Sequence, residues 1–400
     1  MSESIPVRAS GATAITLTRL LRRRRPGAAE ALSIADPARV RRVLVIKPHD
    51  QFGDFVLATP ALHALRERFA AARIVLVTRE FLAPLARRVP GVDQVIVLPR
   101  VRGPRALATL AASLGALAAP RPDLAFVLNS VSRSRTADAL AVLSRARLVV
   151  GRSRVGAGGL PPDLPADPFA AARVRPGRDS VYDLDLGFAP TSAHQVARIL
   201  DLVRWCAPPS SATPGLALSE PERAAAWRAF EQAFHDVPVP SPRIGFHPGA
   251  ANPLKRWPLE SFVELGVALG AEGPGAGATR WVFDSPRERG RGAALCAGLE
   301  ARGARATLLP AGGIEWFAAL CSHLDLLVCN DSGVMHIAAA LGVPTLSFHS
   351  LGRPREWAPA SDRAVALWAP ADIAALPVSA ALEAARGLLA TSPVRVLTTG

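Results

Sequence analysis

The sequence predicts an α/β protein made of two doubly wound halves. A chain of 400 residues is longer than one hydrophobic core usually organises, so two domains are expected. Apolar runs of four or five residues recur along it, and helical patterns separate several of them. Runs of this kind are typical of buried parallel strands joined by crossover helices. The second half repeats this architecture without repeating the sequence.

A basic, Ala- and Pro-rich extension over 1–40 precedes the first domain, which we place at 41–206. Short apolar runs predict five strands there, at Val43–Ile46, Ile74–Val77, Val95–Leu98, Leu124–Leu128 and Leu148–Val150. Residues 152–180 are rich in Gly, Pro and Arg and are predicted to be irregular. A helix from His194 to Trp205 ends the domain.

A linker rich in Pro, Ser and Ala, followed by a connecting helix, covers 207–240 and leads to the second domain, 241–400. Apolar runs again predict five strands, at Arg243–Phe246, Arg280–Phe283, Ala306–Leu309, Leu326–Cys329 and Thr345–Phe348. A helix is predicted after Pro258, a residue that favours the first helical turn. A final helix is predicted over 378–390, and whether it packs back on the first domain is left open.

Composition indicates a globular protein in a reducing compartment. Hydrophobic residues make up 50% of the chain, and no apolar run approaches the roughly 20 residues that cross a bilayer. The stretch Ala12–Leu21 is broken by polar residues and is followed, not preceded, by the cluster Arg22–Arg25, so no signal peptide is expected. The four cysteines form no CxxC pair. We therefore expect a cytoplasmic protein, with peripheral contact to the inner membrane through Arg22–Arg25 left open.

The formal net charge of +14 does not by itself indicate a nucleic-acid partner. Only Lys47 and Lys255 are lysines, and the arginines are mostly scattered, as are the aromatic residues that a nucleic-acid surface needs. No nucleic acid is therefore expected. The rare residues are more informative, because both lysines and all three asparagines (Asn129, Asn252 and Asn330) lie at or near predicted strand ends. Open α/β sheets bind ligands at those ends.

The first loop with candidate chemistry follows the strand that ends at Ile46. It holds Lys47, His49, Gly53 and Asp54 but neither a GxGxxG nor a Walker A motif, so a dinucleotide oxidoreductase is not expected. Gly53 would let the backbone approach a ligand closely. Asp54 lies near the N-terminus of the following helix. It either faces a cleft or caps that helix, and both interpretations stay open.

The second loop follows the strand that ends at Phe246 and carries the second lysine. His247, Gly249 and other small residues precede Lys255. Exposed backbone N–H groups and a point charge together suit a phosphate, and a solvated surface loop is the alternative.

The third loop, Asn330-Asp331-Ser332-Gly333, is the most specific of the three. It joins a buried strand to a helix whose first amides have no intrahelical partner, and such a terminus favours an anion. Asp331 could accept hydrogen bonds from sugar hydroxyls. His336 lies one turn into the helix, where it either faces the ligand or belongs to the core.

Together these segments resemble glycosyltransferase family 9, the lipopolysaccharide heptosyltransferase family. The matching patterns are the Gly-Asp pair at 53–54, the G-x-H-P-G-A…K-x-W-P loop at 245–258 and the N-D-S-G-x-x-H-x-A-A-A-L-G-x-P-T segment at 330–345. The likeness extends over about 43–360. The helix after His194 and the polar loop from Asn129 to Arg135 also resemble family segments.

The resemblance implies a GT-B fold, in which two Rossmann-like domains face each other across a cleft. It implies an inverting, metal-independent transfer of a heptose from a nucleotide diphosphate donor such as ADP-heptose. The acceptor would be a lipid-linked glycan of the lipopolysaccharide core, and no cofactor is implied. Asp54 would be the general base. Lys255 and the amides near Ser332 and Gly333 would neutralise the diphosphate, and Asp331 would position the sugar.

The other candidates divide between the two sides of the cleft. Donor-side candidates are Asn330, His336, His247 and Gly249, and acceptor-side or cleft candidates are Lys47, His49, Gly53, Asn129, Arg135 and His194. Two loops depart from the family pattern, at Asp284-Ser285-Pro286 and from His349 onward. Two alternatives therefore stay open: transfer of another sugar to a different surface glycan, and a nucleotide-sugar-binding module without activity.

Asp183-Leu-Asp185 spells a DxD triplet, which binds Mn²⁺ in a different glycosyltransferase fold. Here no predicted strand leads into the triplet, so we interpret it as a chance match and predict no metal site.

Overall fold

A computed structural model of the chain describes residues 26, 28–48, 51–100, 103–130, 133–152, 180–186, 194–234, 242–284, 290–351 and 353–390. Predictions for Arg22–Arg25, His49, Ser285 and Pro286, and for most of the irregular segment, lie outside these residues. Helix α1 (Ala28–Ile34) lies within the predicted extension. Its Ala31 and Ile34 are buried against the first half, so that half begins before residue 41.

The first half is built on a six-stranded parallel sheet. Its strands are β1 (Arg42–Ile46), β2 (Arg73–Arg79), β3 (Gln94–Leu98), β4 (Leu124–Val127), β5 (Leu148–Gly151) and β6 (Leu184–Asp185). Its helices are α2 (Phe52–Val56), α3 (Thr59–Arg68), α4 (Ala83–Ala86), α5 (Pro104–Ala118), α6 (Arg135–Leu143) and α7 (Gln195–Leu200). The strand order is β3-β2-β1-β4-β5-β6, the Rossmann order.

The second half repeats this order in a second parallel sheet. Its strands are β7 (Arg243–His247), β8 (Thr279–Phe283), β9 (Ala306–Leu309), β10 (Leu326–Asn330), β11 (Thr345–His349) and β12 (Ala364–Trp368). Its helices are α8 (Glu220–Ala233), α9 (Leu259–Ala271), α10 (Arg291–Ala301), α11 (Ile314–Cys321), α12 (Gly333–Ala340), α13 (Pro354–Trp357) and α14 (Val378–Ala390). The order is β12-β11-β10-β7-β8-β9, which is the order of the first sheet read from the opposite edge.

All ten predicted strands are present, with ends that differ by at most two residues from the prediction. The central strands are buried on both faces, which is why their apolar runs are continuous. The two strands that were not predicted, β6 and β12, each lie at one edge of their sheet. β6 has only two residues, and the side chains of β12 are half-buried or exposed.

One hydrophobic core is continuous across the two halves. Phe55 and Leu62 of the first half belong to the same cluster as Met335 and Ile337 of the second. The linker reinforces this contact, because Leu216 N donates to Ala340 O at 3.0 Å.

The final helix, α14, packs on the second half. Ala381, Ala385 and Leu388 are buried in a core shared with Ile244 of β7 and Val328 of β10. The sequence left open whether this helix packs back on the first domain, and in the structure it packs on the second half instead. In the described part of the chain, no helix has the length and apolar character that crossing a membrane requires.

Candidate active site

Three loops meet where the two sheets face each other. The strand order reverses between β1 and β4 in the first half and between β7 and β10 in the second. Ligands of open α/β sheets bind at such switch points, beyond the carboxyl ends of the strands. The loops predicted to carry chemistry leave β1, β7 and β10 there. They border a cleft of about 950 Å³ between the halves, a volume usual for small-molecule sites.

Asp54 lies on the first-half wall of this cleft. It is the third residue of α2, and the N-cap position of that helix is held by Gln51. The interpretation of Asp54 as the helix cap is therefore wrong. Its carboxylate belongs to a helix turn that also places Phe52 and Gly53 against the cleft.

Lys47 lies beneath this wall and not on it. Its side chain is buried, and Nζ donates to Leu128 O at 2.9 Å. Burial lowers the pKa of Lys47 to about 8, although the negative charge of Asp54 opposes that shift. Asn129 is also buried beside the end of β4. Both residues were predicted at the cleft, but they lie at buried ends of central strands and support the wall from behind.

An ion pair forms part of the opposite wall. Lys255 Nζ is 2.7 Å from Asp331 Oδ2, and both residues line the cleft. Asn252 fixes the backbone that carries the lysine, because its Oδ1 accepts a hydrogen bond from Leu254 N at 3.0 Å. The pair therefore holds an ammonium group at a defined place in the cleft, beside a carboxylate that is mostly buried.

Helix α12 begins directly after this pair. Its N-cap is Ser332, whose side chain makes no capping hydrogen bond. The Ser332 Oγ is buried and has no hydrogen-bond partner within the described residues. Ser332 and Gly333 both line the cleft. The first amides of a helix generally lack intrahelical partners, so a helix N-terminus that also holds an unpartnered hydroxyl is suited to an anion.

Asn330 has a structural role that the sequence did not indicate. Its Oδ1 accepts from Trp257 N at 2.9 Å, and its Nδ2 donates to Pro248 O at 2.8 Å. It thus ties the second loop to the third. Neither Asn330 nor Gly249 is among the residues that line the cleft.

His247 and His336 line the cleft as neutral rings. Burial lowers the pKa of His247 to about 4 and that of His336 to about 3. The His336 ring also packs on the opposite half, because a Cβ added to Gly53 would lie 2.7 Å from its Cδ2. His336 therefore belongs to both the cleft and the core between the halves. The small size of Gly53 serves this contact.

Two acceptor-side candidates lie outside the cleft lining. Arg135 begins α6 and is exposed. His194 caps α7 by accepting from Val196 N, and its Nε2 is 2.9 Å from Ala358 O in the second half. His194 therefore joins the halves instead of lining the cleft.

The DxD triplet is part of the first sheet. Asp183 Oδ2 accepts from Val149 N at 2.8 Å, and Asp185 pairs with Gly151 in β6. As predicted, no strand leads into the triplet, because β6 begins at its second residue, Leu184. Across the ranges that the structure describes, no group of three or more His, Cys, Asp or Glu residues is placed to hold a metal ion.

Comparison with known proteins relates this chain to one family. The family model for glycosyltransferase family 9 (heptosyltransferase) matches residues 185–379. Lipopolysaccharide heptosyltransferase 2 of Escherichia coli strain K12 is 26% identical over 326 residues, which cover 81% of this chain and 86% of that protein. The chain is therefore similar to glycosyltransferase family 9 over most of its length.

Solved structures confirm the GT-B fold. A family 9 glycosyltransferase from Veillonella parvula DSM 2008 superposes with a TM-score of 0.70 at 20% identity, over 88% of this chain and 98% of that one. The E. coli ADP-heptose lipopolysaccharide heptosyltransferase II superposes with a TM-score of 0.65 at 22% identity, over 87% of this chain and 98% of that one.

The apolar part of this cleft was missed from the sequence. Its aromatic members come from both halves: Phe52, Phe81, Phe283, Trp316, Phe317 and Trp357. The Phe52 and Phe81 rings are 4.2 Å apart, and the Phe283 and Phe317 rings are 5.0 Å apart. These residues follow different strands, so no single motif brings them together. The signal that could have found them is the position of aromatic residues, which are scarce in this chain, near the ends of predicted strands.

His349, at one of the departures from the family pattern, was also missed. Its ring is fully buried behind the ion pair, with Nδ1 3.9 Å from Asp331 Oδ2 and Nε2 2.8 Å from Ser347 Oγ. Burial lowers the pKa of His349 to about 4, so the ring is neutral near pH 7. The altered loop therefore touches the donor-side carboxylate.

Proposed function

We propose that this chain transfers a heptose from a nucleotide diphosphate donor to an acceptor of the lipopolysaccharide core. One observation carries the proposal: Asp54 of the first half and the turn at 331–333 of the second half line the same cleft. A base and an anion site on opposite walls are what sugar transfer from a diphosphate needs. The names of the relatives, which include an ADP-heptose transferase, supply the sugar.

The diphosphate is assigned to the second half. Lys255 Nζ has three N–H donors, and one of them faces Asp331, so others are available to phosphate oxygens. The unpartnered Ser332 Oγ and the first amides of α12 add neutral donors and a favourable dipole. Together these groups would stabilise the charge that develops on the departing diphosphate, which is commonly a large contribution in such reactions.

The acceptor is assigned to the first half. Asp54 would remove the proton of the acceptor hydroxyl as that oxygen attacks the anomeric carbon from the face opposite the diphosphate. Such an attack inverts the anomeric centre, and the carbon–oxygen bond to the diphosphate breaks as the new bond forms. Since Lys255 and the α12 amides would take the charge of the leaving group, the proposed step uses no metal ion. Lys47, buried beside Asp54, would place a positive charge behind that carboxylate.

The place of action follows from the substrate class. A nucleotide sugar is made in the cytoplasm, so we place the enzyme there, at the cytoplasmic face of the inner membrane where a lipid-linked acceptor would lie. Transfer of another sugar to a different surface glycan is the alternative within this class, because His349 and Asp284 depart from the family pattern.

A donor panel tests the proposal. The protein is incubated with ADP-heptose, other ADP-sugars and UDP-sugars, each with heptose-deficient lipopolysaccharide and with or without EDTA, and nucleotide release is followed. We expect release with ADP-heptose only when the acceptor is present, and no loss with EDTA. Release with a different donor supports the alternative. If no donor reacts, the module without activity is the better description.

The Asp54→Asn variant tests the base. We expect kcat to fall by roughly 10²–10⁴-fold with the donor Kd unchanged, because the amide keeps the shape of the side chain but cannot take a proton. The matched control is Asp362→Asn, which alters an exposed carboxylate outside the cleft lining. An Asp54→Asn enzyme with full kcat removes Asp54 from the chemistry.

A further inference from the structure

An apolar patch lies at the mouth of the cleft. Six large apolar side chains are exposed in the described part of the chain, and three of them surround Ser350: Leu254, Leu351 and Trp368. The Ser350 Oγ donates to Leu254 O at 2.8 Å, and Ser350 O accepts from the Trp368 indole at 3.1 Å. We call these three residues the lip. They are 67%, 54% and 49% exposed, far more than ordinary packing leaves on such residues.

The lip adjoins the proposed donor site. Leu351 lines the cleft, and Leu254 is next to Lys255, which also lines it. Whatever covers the lip therefore lies against the cleft that Asp54 also lines.

Basic residues outnumber acids in the segments that carry the lip. The segments 252–257, 351–357 and 365–372 carry four basic residues (Lys255, Arg256, Arg353 and Arg355) and two acids, Glu356 and Asp372. Glu356 is engaged by Arg198 and Arg353. The Arg353 side chain is 70% exposed. A partner that fits this surface is apolar at its centre and negatively charged at its rim.

We propose that the lip inserts into the interface of an anionic bilayer. Leucine side chains partition into the acyl boundary, and an indole is favoured at the headgroup level. The Trp368 N–H already has a partner in Ser350 O, so its ring enters the interface without losing a hydrogen bond. The arginines would contact anionic headgroups. A second copy of this chain fits less well, since a symmetric contact would oppose the same basic side chains.

The biological purpose of this contact rests on the proposed function, because a lipid-linked acceptor would then enter the cleft directly from the membrane. The binding itself is independent of catalysis. It is measured by co-sedimentation of the full chain with vesicles of equimolar phosphatidylcholine and phosphatidylglycerol, and with vesicles of phosphatidylcholine alone.

The lip variant combines Leu254→Ser, Leu351→Ser and Trp368→Ser. Its matched control carries serine at the three other exposed leucines, Leu32, Leu143 and Leu308, which belong to α1, α6 and the opposite sheet edge, β9. We expect the native chain and the control to bind anionic vesicles equally, and the lip variant to bind at least roughly tenfold more weakly. Thermal unfolding of all three proteins shows that each is folded.

Four results would overturn the inference. The first is that the native chain does not bind the vesicles. The second is that the lip variant binds like the native chain, and the third is that the control loses as much binding as the lip variant. The fourth is a native dimer in sedimentation that only the lip variant abolishes, which would assign the lip to a second copy. Nucleotide release with the donor panel is read separately, so a failure of transfer and a failure of membrane binding are distinguishable.

Discussion

At the residue scale, the contact between the halves depends on two glycines. A Cβ at Gly53 would meet the His336 ring at 2.7 Å, and a Cβ at Gly333 would meet Phe52 Cβ at 3.1 Å. Neither distance leaves room for a methyl group without movement of the opposing helix. The two glycines thus let α2 and α12 approach closely, which sets Asp54 opposite the turn at 331–333.

The variant Gly53→Ala tests this contact. We expect a loss of stability of about 1–3 kcal/mol, because the added methyl group overpacks a buried interface between rigid groups. Gly115→Ala is the control, since Gly115 lies in α5 with open space around its Cα. Alanine there should stabilise the protein by about 0.5–1 kcal/mol. Urea unfolding measures both, and equal effects of the two changes would refute the packing role of Gly53.

The sequence predicted which residues belong to the site better than it predicted the groups to which each of them hydrogen-bonds. The sequence indicated that Lys255, Asp331 and Ser332 belong to a strand-end site, and the structure brings all three to the cleft. It could not indicate that Asn330 would bind Trp257 N and Pro248 O instead of a ligand. Such a choice depends on how two loops approach each other, and no local pattern encodes that distance.

At the element scale, all the buried central strands were predictable, but only two of the four edge strands were. β1 and β10 are covered on both faces, so their apolar runs stand out from their neighbours. β6 and β12 have one neighbouring strand each, and partial exposure or short length leaves them without that pattern. The helix α1 was missed for a related reason, because few of its residues are buried.

The second half carries buried, neutral histidines, which make its stability depend on pH. His247, His323, His336 and His349 all have pKa values lowered by burial, to about 3 or 4. Above the unfolded value of about 6.5 both states are neutral, so stability does not vary through these groups. Below it the unfolded chain binds more protons than the folded chain. Stability should therefore fall as pH drops from about 6.5 toward 4.

His323 allows a test away from the cleft. Its ring is 5.1 Å from Trp227 and its Nε2 is 3.1 Å from Arg223 O. In His323→Gln, the dependence of unfolding free energy on pH between 4 and 6.5 should be shallower by up to about 1.4 kcal/mol per pH unit, the effect of one proton. Urea unfolding across this range measures the slopes, and the two proteins should have parallel profiles from pH 7.5 to 9. Identical slopes in acid would show that His323 takes up no extra proton on unfolding.

At the scale of the whole molecule, two copies of one topology face each other so that their switch points share a cleft. The sequence predicted both halves from their strand patterns. It could not predict from periodicity how the halves are placed, and the resemblance to family 9 supplied that expectation. Contacts such as His194 to Ala358 and Leu216 to Ala340 hold the halves together, and each joins residues more than a hundred positions apart.

The proposed mechanism depends on a diphosphate held by the turn at 331–333 and Lys255, opposite Asp54. A crystal structure of the native chain with ADP would show whether these groups hold it. We expect phosphate oxygens within hydrogen-bond distance of Lys255 Nζ and of the first amides of α12, with the open end of the diphosphate directed across the cleft toward Asp54. ADP bound in the first half, or with its phosphates away from that turn, would refute the mechanism.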